Sequence, residues 1–86
     1  MFQLFMRPKP CRIMVLLREG ETAWHLSKLA KSSETTYVYV TKLVGTLQKG
    51  GYVSVESKGN KKVVKLTDRG AAVANMLHEL MIKMQG

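Results

Sequence analysis

The feature that most restricts the fold is the segment of residues 36–66, where a helical pattern passes directly into a β-hairpin pattern. With residues placed about 100° apart, four apolar side chains fall on one narrow stripe of a helix. They are Val40, Leu43, Val44 and Leu47. This spacing predicts a helix over residues 36–49, capped by Thr35 or Thr36 and ended by Gly50-Gly51, because glycine readily adopts the left-handed conformation of helix ends.

The hairpin pattern follows at once, over residues 52–66. Residues 52–57 (YVSVES) alternate apolar and polar side chains, residues 58–60 (KGN) favour a turn, and residues 61–66 (KKVVKL) are β-branched in their middle. Lysines occupy much of the second strand and of the turn. The segment therefore predicts a basic β-hairpin, which begins where the preceding helix stops.

Three further helices are predicted around this unit, over about residues 9–18, 23–31 and 68–84. The first carries apolar residues at Ile13, Met14, Leu16 and Leu17, the second has Thr22 as its cap, and the third follows Thr67-Asp68. The predicted fold is mainly α with a small β-hairpin (α+β), in one domain over residues 1–86. The order helix, helix, turn, helix, hairpin, helix is that of a winged helix-turn-helix, whose third helix enters the major groove of DNA.

Four sequence elements have a spacing typical of one family. They are Leu29-Ala30, Thr36, residues 47–53 (LQKGGYV) and residues 66–70 (LTDRG). This pattern resembles the MarR-like winged-helix regulators, in which Leu-Ala precedes a Ser/Thr-capped recognition helix ending in Leu-x-x-x-Gly and two apolar residues, and Leu-Thr-x-x-Gly follows the wing. The resemblance implies a winged helix-turn-helix with a C-terminal dimerisation helix. Glu34 replaces a common glycine, Ser33 a usual apolar residue and Lys42 a common arginine, and the family's wing Asp and Arg are not recognisable in residues 57–62.

The charge of the chain points to a polyanionic partner. Lys and Arg number 14 against 6 Asp and Glu, a formal net charge of +8, and six of those net charges lie between residues 28 and 65. A generally basic, solvated surface is the alternative explanation. The single cysteine, Cys11, forms no intramolecular disulfide, and we expect neither a secretory signal nor a transmembrane segment, which favours a reducing, cytoplasmic setting.

The resemblance implies two groups of residues that contact double-stranded DNA. The recognition helix would present Thr36, Tyr37, Val38, Tyr39, Thr41 and Lys42. The second helix, the end of the recognition helix and the wing would contact phosphates through Lys28, Lys31, Lys49, Lys58, Asn60, Lys61 and Lys62. Val38 is either a partner for a thymine methyl or an ordinary surface valine, and Tyr37 and Tyr39 either bind phosphates or cover the core.

The last predicted helix carries the pattern expected of a dimer interface. Val73, Leu77, Leu80 and Met84 step by four, three and four residues, which is the seam spacing of a coiled coil. We expect this face, with Met81, to pair with a second chain in a homodimer, and the apolar residues 1–6 to pack either on the domain or on that second chain. The alternative is a helix that folds entirely over its own domain.

Other functions have weaker support in the sequence. The isolated Cys11, which could sense oxidants if exposed at its helix start, and the widely separated His25 and His78 form neither a catalytic nor a metal-binding pattern. We therefore expect no enzyme activity, no cofactor and no metal. A winged helix that binds another protein, or one that binds RNA, remains an alternative, and no group of residues specifies a small-molecule effector.

Overall fold

The computed structural model describes residues 2–19 and 24–85, which form five helices and three strands. In chain order the elements are α1 (Phe2–Phe5), α2 (Pro8–Arg18), β1 (Trp24–His25), α3 (Leu26–Ser32), α4 (Tyr37–Lys49), β2 (Val53–Lys58), β3 (Lys61–Leu66) and α5 (Asp68–Gln85). The strands form one antiparallel sheet in the order β1-β3-β2. The mainly α fold with a small hairpin is confirmed, and we call β2, β3 and their turn the wing.

The core lies where α2, α3, α4 and α5 meet the inner face of the sheet. Helix α2 packs against α5 and β3, and α3 packs against α4. The largest fully enclosed side chains are Ile13, Met14, Leu29, Val40, Leu47 and Val64. Burial of each such side chain stabilises the fold by roughly 1.5–3 kcal/mol. This core fixes α4 through its apolar stripe, so the opposite side of that helix faces outward.

Helix α4 lies within a residue of its predicted bounds and has a cap at both ends. The Thr36 hydroxyl accepts a hydrogen bond from the Tyr39 amide, at 3.1 Å. At the other end, the amides of Tyr52 and Gly51 donate to the carbonyls of Leu47 and Gln48, with Gly51 at φ +79°. This pair of bonds is a Schellman motif, which requires a left-handed residue and explains the glycine at that position.

The predicted start of the second helix was wrong. The prediction placed that helix over residues 23–31, whereas α3 begins at Leu26, and Trp24 and His25 are paired with Val64 and Val63 of β3. The His25 Nδ1 atom caps α3 by accepting from the Lys28 amide at 3.2 Å. Strand pairing and burial of the indole therefore override the helical spacing, and the predicted cap, Thr22, lies outside the described residues.

The turn between α3 and α4 explains two departures from the family pattern. Ser33 is buried, and its hydroxyl donates to the Leu29 carbonyl at 2.5 Å, so a polar side chain is satisfied where an apolar one is common. Glu34 has φ +58°, a left-handed conformation that glycine adopts without strain. The turn therefore has a buried but hydrogen-bonded serine and a strained residue at the glycine position.

Residues 66–70 connect the wing to the end of α4 and to α5. The Thr67 hydroxyl donates to the Gly51 carbonyl at 2.6 Å and accepts from the Gly70 amide at 3.1 Å. A Cβ atom added to Gly70 would lie 1.8 Å from the Tyr52 carbonyl oxygen, closer than any real contact. Thr67 and Gly70 of the Leu-Thr-x-x-Gly sequence are thus explained by the close approach of the start of α5 to the backbone of Gly51 and Tyr52.

Candidate nucleic-acid interface

The outer face of α4 is the first component of the site. Val38 and Tyr37 are 63% and 53% exposed, and Thr36, Thr41 and Lys42 are exposed beside them. Val38 is thus a large apolar side chain left mostly open to solvent. Five of the six predicted recognition-helix residues are therefore exposed on or next to α4.

Tyr39 is the sixth predicted residue and has a different environment. Its ring is half-buried and packs against the core, and the Lys9 ammonium lies 5.5 Å from the ring centroid. A cation over an aromatic face is attracted by the ring quadrupole. Tyr39 thus covers the core and holds a cation of α2, whereas Tyr37 stands free of the core.

The hydroxyls on α4 are partly committed to the helix itself. Thr41 donates to the Tyr37 carbonyl at 2.8 Å, and Thr46 donates to the Lys42 carbonyl at 3.2 Å. The Thr41 hydroxyl has then given its only proton and retains its lone pairs. At this position the helix offers a hydrogen-bond acceptor and a methyl group.

A small cleft joins the wing to the starts of α3 and α4. It has a volume of about 130 Å³ and is lined by His25, Leu26, Ser27, Tyr37, Asn60, Lys61 and Lys62. We call it the wing cleft. Four of these residues were predicted from the sequence as DNA contacts, and the structure brings them together. His25 was missed because β1, the strand that places it beside the wing, was predicted as helix. Ser27 of α3 was missed because no local pattern indicates its contact with the wing.

The lysines at the end of the wing face one another. Lys58 is directly opposite Lys61 in the antiparallel register, and Lys62 is the next residue along β3. Like charges in directly opposed positions destabilise a sheet. An anion bound at this end of the wing would remove that repulsion.

The remaining predicted phosphate contacts lie at separate places. The Lys28 ammonium lies 4.9 Å from the centroid of the Trp24 ring, while Lys31 and Lys49 are exposed in the last turns of α3 and α4. A second polar cleft, of about 280 Å³, is lined by Pro8, Lys9, Arg12, Ser33 and Glu34. Its two cations, Lys9 and Arg12, were not predicted, since the spacing of α2 was interpreted only for its apolar side.

A large apolar groove lies between α1, Tyr52 and α5. It has a volume of about 480 Å³ and is lined by Phe5, Met6, Tyr52, Val73, Met76, Leu77 and Leu80. We call it the α5 groove. The Phe5 and Tyr52 rings meet edge to face at 5.0 Å. Residues 1–6 were predicted only to pack on the domain or on a partner, and α1 is the helix that brings Phe5 onto the domain.

The predicted dimer residues divide into two groups. Leu77 is buried in the domain's own core, with Val73 packed against it, and Met81 is half-buried. Leu80 and Met84 are 42% and 78% exposed. Met76, which is 70% exposed, also lines the groove and was missed, because a strict four-three spacing skips it.

Burial raises the pKa of the Cys11 thiol above its ordinary value, which disfavours the thiolate that an oxidant sensor would need. His25 has a capping role in α3. Within residues 2–19 and 24–85 no three His, Cys, Asp or Glu side chains are grouped to hold a metal ion, and none of the helices there is long and apolar enough to cross a membrane.

A family model described as the DUF6293 C-terminal winged helix domain matches residues 21–78, a segment that holds the recognition helix and the wing. The chain belongs to this winged helix family. No curated protein matches it.

Solved structures extend this winged helix comparison beyond the matched segment. AF1382 from Archaeoglobus fulgidus is 19% identical with a TM-score of 0.90, over 99% of this chain and 97% of that one. SPO1453, a MarR family transcriptional regulator from Silicibacter pomeroyi DSS-3, is 25% identical with a TM-score of 0.80, over 92% of this chain and 57% of that one. MepR of Staphylococcus aureus, solved with DNA, is 15% identical with a TM-score of 0.80, over 98% and 64%. The chain spans about three fifths of the last two proteins and has the MarR-like winged helix fold.

Proposed function

We propose that the protein binds double-stranded DNA with a preference for sequence, as a dimeric transcriptional regulator in the cytoplasm. The observation that carries the proposal is the wing cleft, at which Tyr37 of the recognition helix meets Lys61 and Lys62 of the wing. A winged helix that holds DNA needs this juxtaposition, because one element lies in the major groove while the other reaches the flanking backbone. The proposed role is that of a binding protein and not of an enzyme.

Electrostatics support a polyanion as the partner. Lys58 and Lys61 face each other at the wing end, a placement that costs stability in the free protein. Lysines at such positions bind phosphates as point charges and fix the register of a protein on the duplex. The affinity should therefore come largely from the wing and depend strongly on salt.

Base readout would come from the exposed face of α4. Val38 offers an apolar partner for a thymine methyl, and Lys42 is able to donate to the O6 and N7 atoms of guanine. Thr41, whose proton is already donated to the Tyr37 carbonyl, would accept from an amino group of adenine or cytosine. Lysine lacks the rigid fork of arginine, so we expect modest discrimination at its position.

The α5 groove supports the dimer. Exposed Met76, Leu80 and Met84 give α5 an apolar side that its own domain leaves uncovered. Apolar side chains of this size favour burial against another surface. A two-fold pair would place two recognition helices about 34 Å apart, which matches one turn of DNA between half-site centres.

The comparisons support the same proposal. MepR, whose fold this chain shares, is solved in complex with DNA, and SPO1453 is a transcriptional regulator. The family match includes the whole recognition helix and the wing.

Selection of binding sites from random duplexes tests the function directly. We expect an enriched palindrome whose half-sites are about 10 base pairs apart. The same selection from random RNA should enrich nothing. Enrichment of RNA alone would assign the surface to RNA, and the absence of enrichment from both pools would contradict nucleic-acid binding and favour a protein partner.

A salt titration on the selected duplex tests the electrostatic part. With about six phosphates neutralised, the logarithm of the association constant should fall with the logarithm of salt with a slope of about −5. A flat response would contradict a binding mode based on phosphate contacts.

A further inference from the structure

We propose that the wing cleft holds one backbone phosphate of the bound duplex, and that His25 donates a hydrogen bond to it from Nε2. This inference rests on the proposed DNA binding and adds a contact that neither the helical spacing nor the family pattern indicates. The phosphate would touch the wing and the start of α3 at the same time. His25 is then a DNA-binding residue in addition to a helix cap.

The hydrogen bond that caps α3 determines which nitrogen of the neutral His25 ring carries the proton. Nδ1 of His25 accepts from the Lys28 amide at 3.2 Å, so this nitrogen carries a lone pair. In a neutral imidazole the proton must then lie on Nε2. The cap thus sets the tautomer and leaves Nε2–H as the donor of the ring.

Strand pairing fixes the position of His25 relative to the wing. His25 is paired with Val63, the residue that follows Lys62 in β3, and its side chain is half-buried. A residue held in a sheet moves with its partner strand. The distance between the His25 ring and the lysines of the wing is therefore set by the sheet and not by a mobile loop.

The lining of the cleft suits an anion of phosphate size. Its volume of about 130 Å³ equals the liquid volume of about four water molecules, comparable to a group of five heavy atoms. Besides His25, hydrogen-bond donors come from Ser27, Tyr37 and Asn60, and positive charge comes from Lys61 and Lys62. None of the lining residues is acidic. Donors from β1, α3, α4 and the wing line one cleft, which is an arrangement that binds a phosphate.

The variant His25→Asn separates capping from phosphate binding. Asparagine caps helices well but lacks the far nitrogen of the imidazole, so the fold should be kept while the contact is lost. We expect roughly tenfold weaker binding to a fluorescent duplex of the selected sequence, because a hydrogen bond to a charged group contributes about that factor. Thermal unfolding should match the unchanged protein. His78→Asn, at the other histidine, is the matched control and should keep full affinity.

Methylphosphonate substitution, which neutralises one phosphate at a time, identifies the contact. In the unchanged protein one position per half-site should weaken binding strongly, and in His25→Asn the same substitution should have a much smaller effect. If the two losses add at every position, or if His25→Asn binds as well as the unchanged protein, the inference is wrong while DNA binding stands. Failure of the unchanged protein to bind any duplex would instead overturn the proposed function, and this inference with it. Should His25→Asn not fold, His25→Ser, with a shorter capping side chain, gives the same comparison.

Discussion

The wing cleft and the α5 groove are two open surfaces within the described residues, and they are built from opposite chemistry. The wing cleft is small and polar, and its lysines are exposed side chains that do not enter the core. The α5 groove is more than three times larger and is lined by apolar and aromatic residues, of which Leu77 and Tyr52 belong to the core. The lysines of the wing cleft are therefore free to change without cost to the fold, whereas the apolar surface is an extension of the core.

The base of the wing meets the α5 groove at the backbone of Tyr52. Its ring lies in the α5 groove against Phe5, and its carbonyl accepts from the Thr67 amide where the wing ends. The guanidinium of Arg69 lies 4.7 Å from the centroid of the Tyr52 ring. A change at this crossing should affect both surfaces, while changes elsewhere should affect only one.

The largest effect is expected for Gly70→Ala. The new Cβ would lie 1.8 Å from the Tyr52 carbonyl oxygen, so α5 or the wing has to move. We expect a loss of about 3 kcal/mol or more in the free energy of unfolding, measured by urea denaturation. Gly45→Ala is the control, since nothing lies within 4 Å of its Cβ position, and it should stabilise α4 by up to about 1 kcal/mol. Equal stability of the two variants would show that the crossing is not tight.

The double variant Lys61→Ala and Lys62→Ala should damage the wing cleft alone. We expect at least tenfold weaker duplex binding near 0.1 M salt and a salt slope reduced by about one, since the contacts of both lysines to the one phosphate of the cleft are lost. Thermal stability and self-association should be unchanged. Lys83→Ala, an exposed lysine of α5, is the control of equal charge type and should leave the slope unaltered. An unchanged slope in the double variant would show that these two wing lysines do not contact DNA phosphates.

Leu80→Glu should damage the α5 groove alone. A carboxylate in an apolar interface has to be desolvated, so we expect the dimer dissociation constant to rise by at least tenfold. Sedimentation equilibrium measures this change, and binding to a single half-site should be preserved. Ile82→Glu is the matched control, because Ile82 is also exposed but lies about 160° around the helix from Leu80. If Ile82→Glu dissociates the dimer and Leu80→Glu does not, the interface is on the other face of α5.

The smallest effect is expected for Glu34→Gly, because Glu34 lines neither the wing cleft nor the α5 groove. Glycine adopts φ +58° without strain, although it adds freedom to the unfolded chain, so a net gain of about 0.5–1 kcal/mol is expected in urea denaturation. Glu19→Gly, with φ −80°, is the control and should give no gain. A destabilised Glu34→Gly would mean that the carboxylate makes a favourable contact with nearby cations.

The fold was predictable where local patterns and packing agree. The stripe of α4, the Gly50-Gly51 end and the alternation of β2 all fulfil a local rule that the core also requires. The segment around Trp24 was mispredicted because its helical spacing is real but competes with pairing to β3, a strand forty residues away in the sequence. No local pattern reports such a pairing.

The site was predictable only in part for the same reason. The lysines of the wing follow from charge and from the hairpin pattern. The role of His25 depends on β1, and the place of Met76 depends on where α1 meets α5. Residues that act through long-range packing need the three-dimensional arrangement before they are recognisable.

The position of Trp24 gives the protein an internal optical probe. It is the sole tryptophan of the chain, it is buried, and its indole N–H donates to the Glu19 carbonyl at 3.0 Å. It lies in β1, next to His25, and is paired with Val64 of the wing. Its emission should therefore shift to longer wavelength when the junction between the wing and the helices opens. Fluorescence of the unlabelled protein would follow that opening without any added dye.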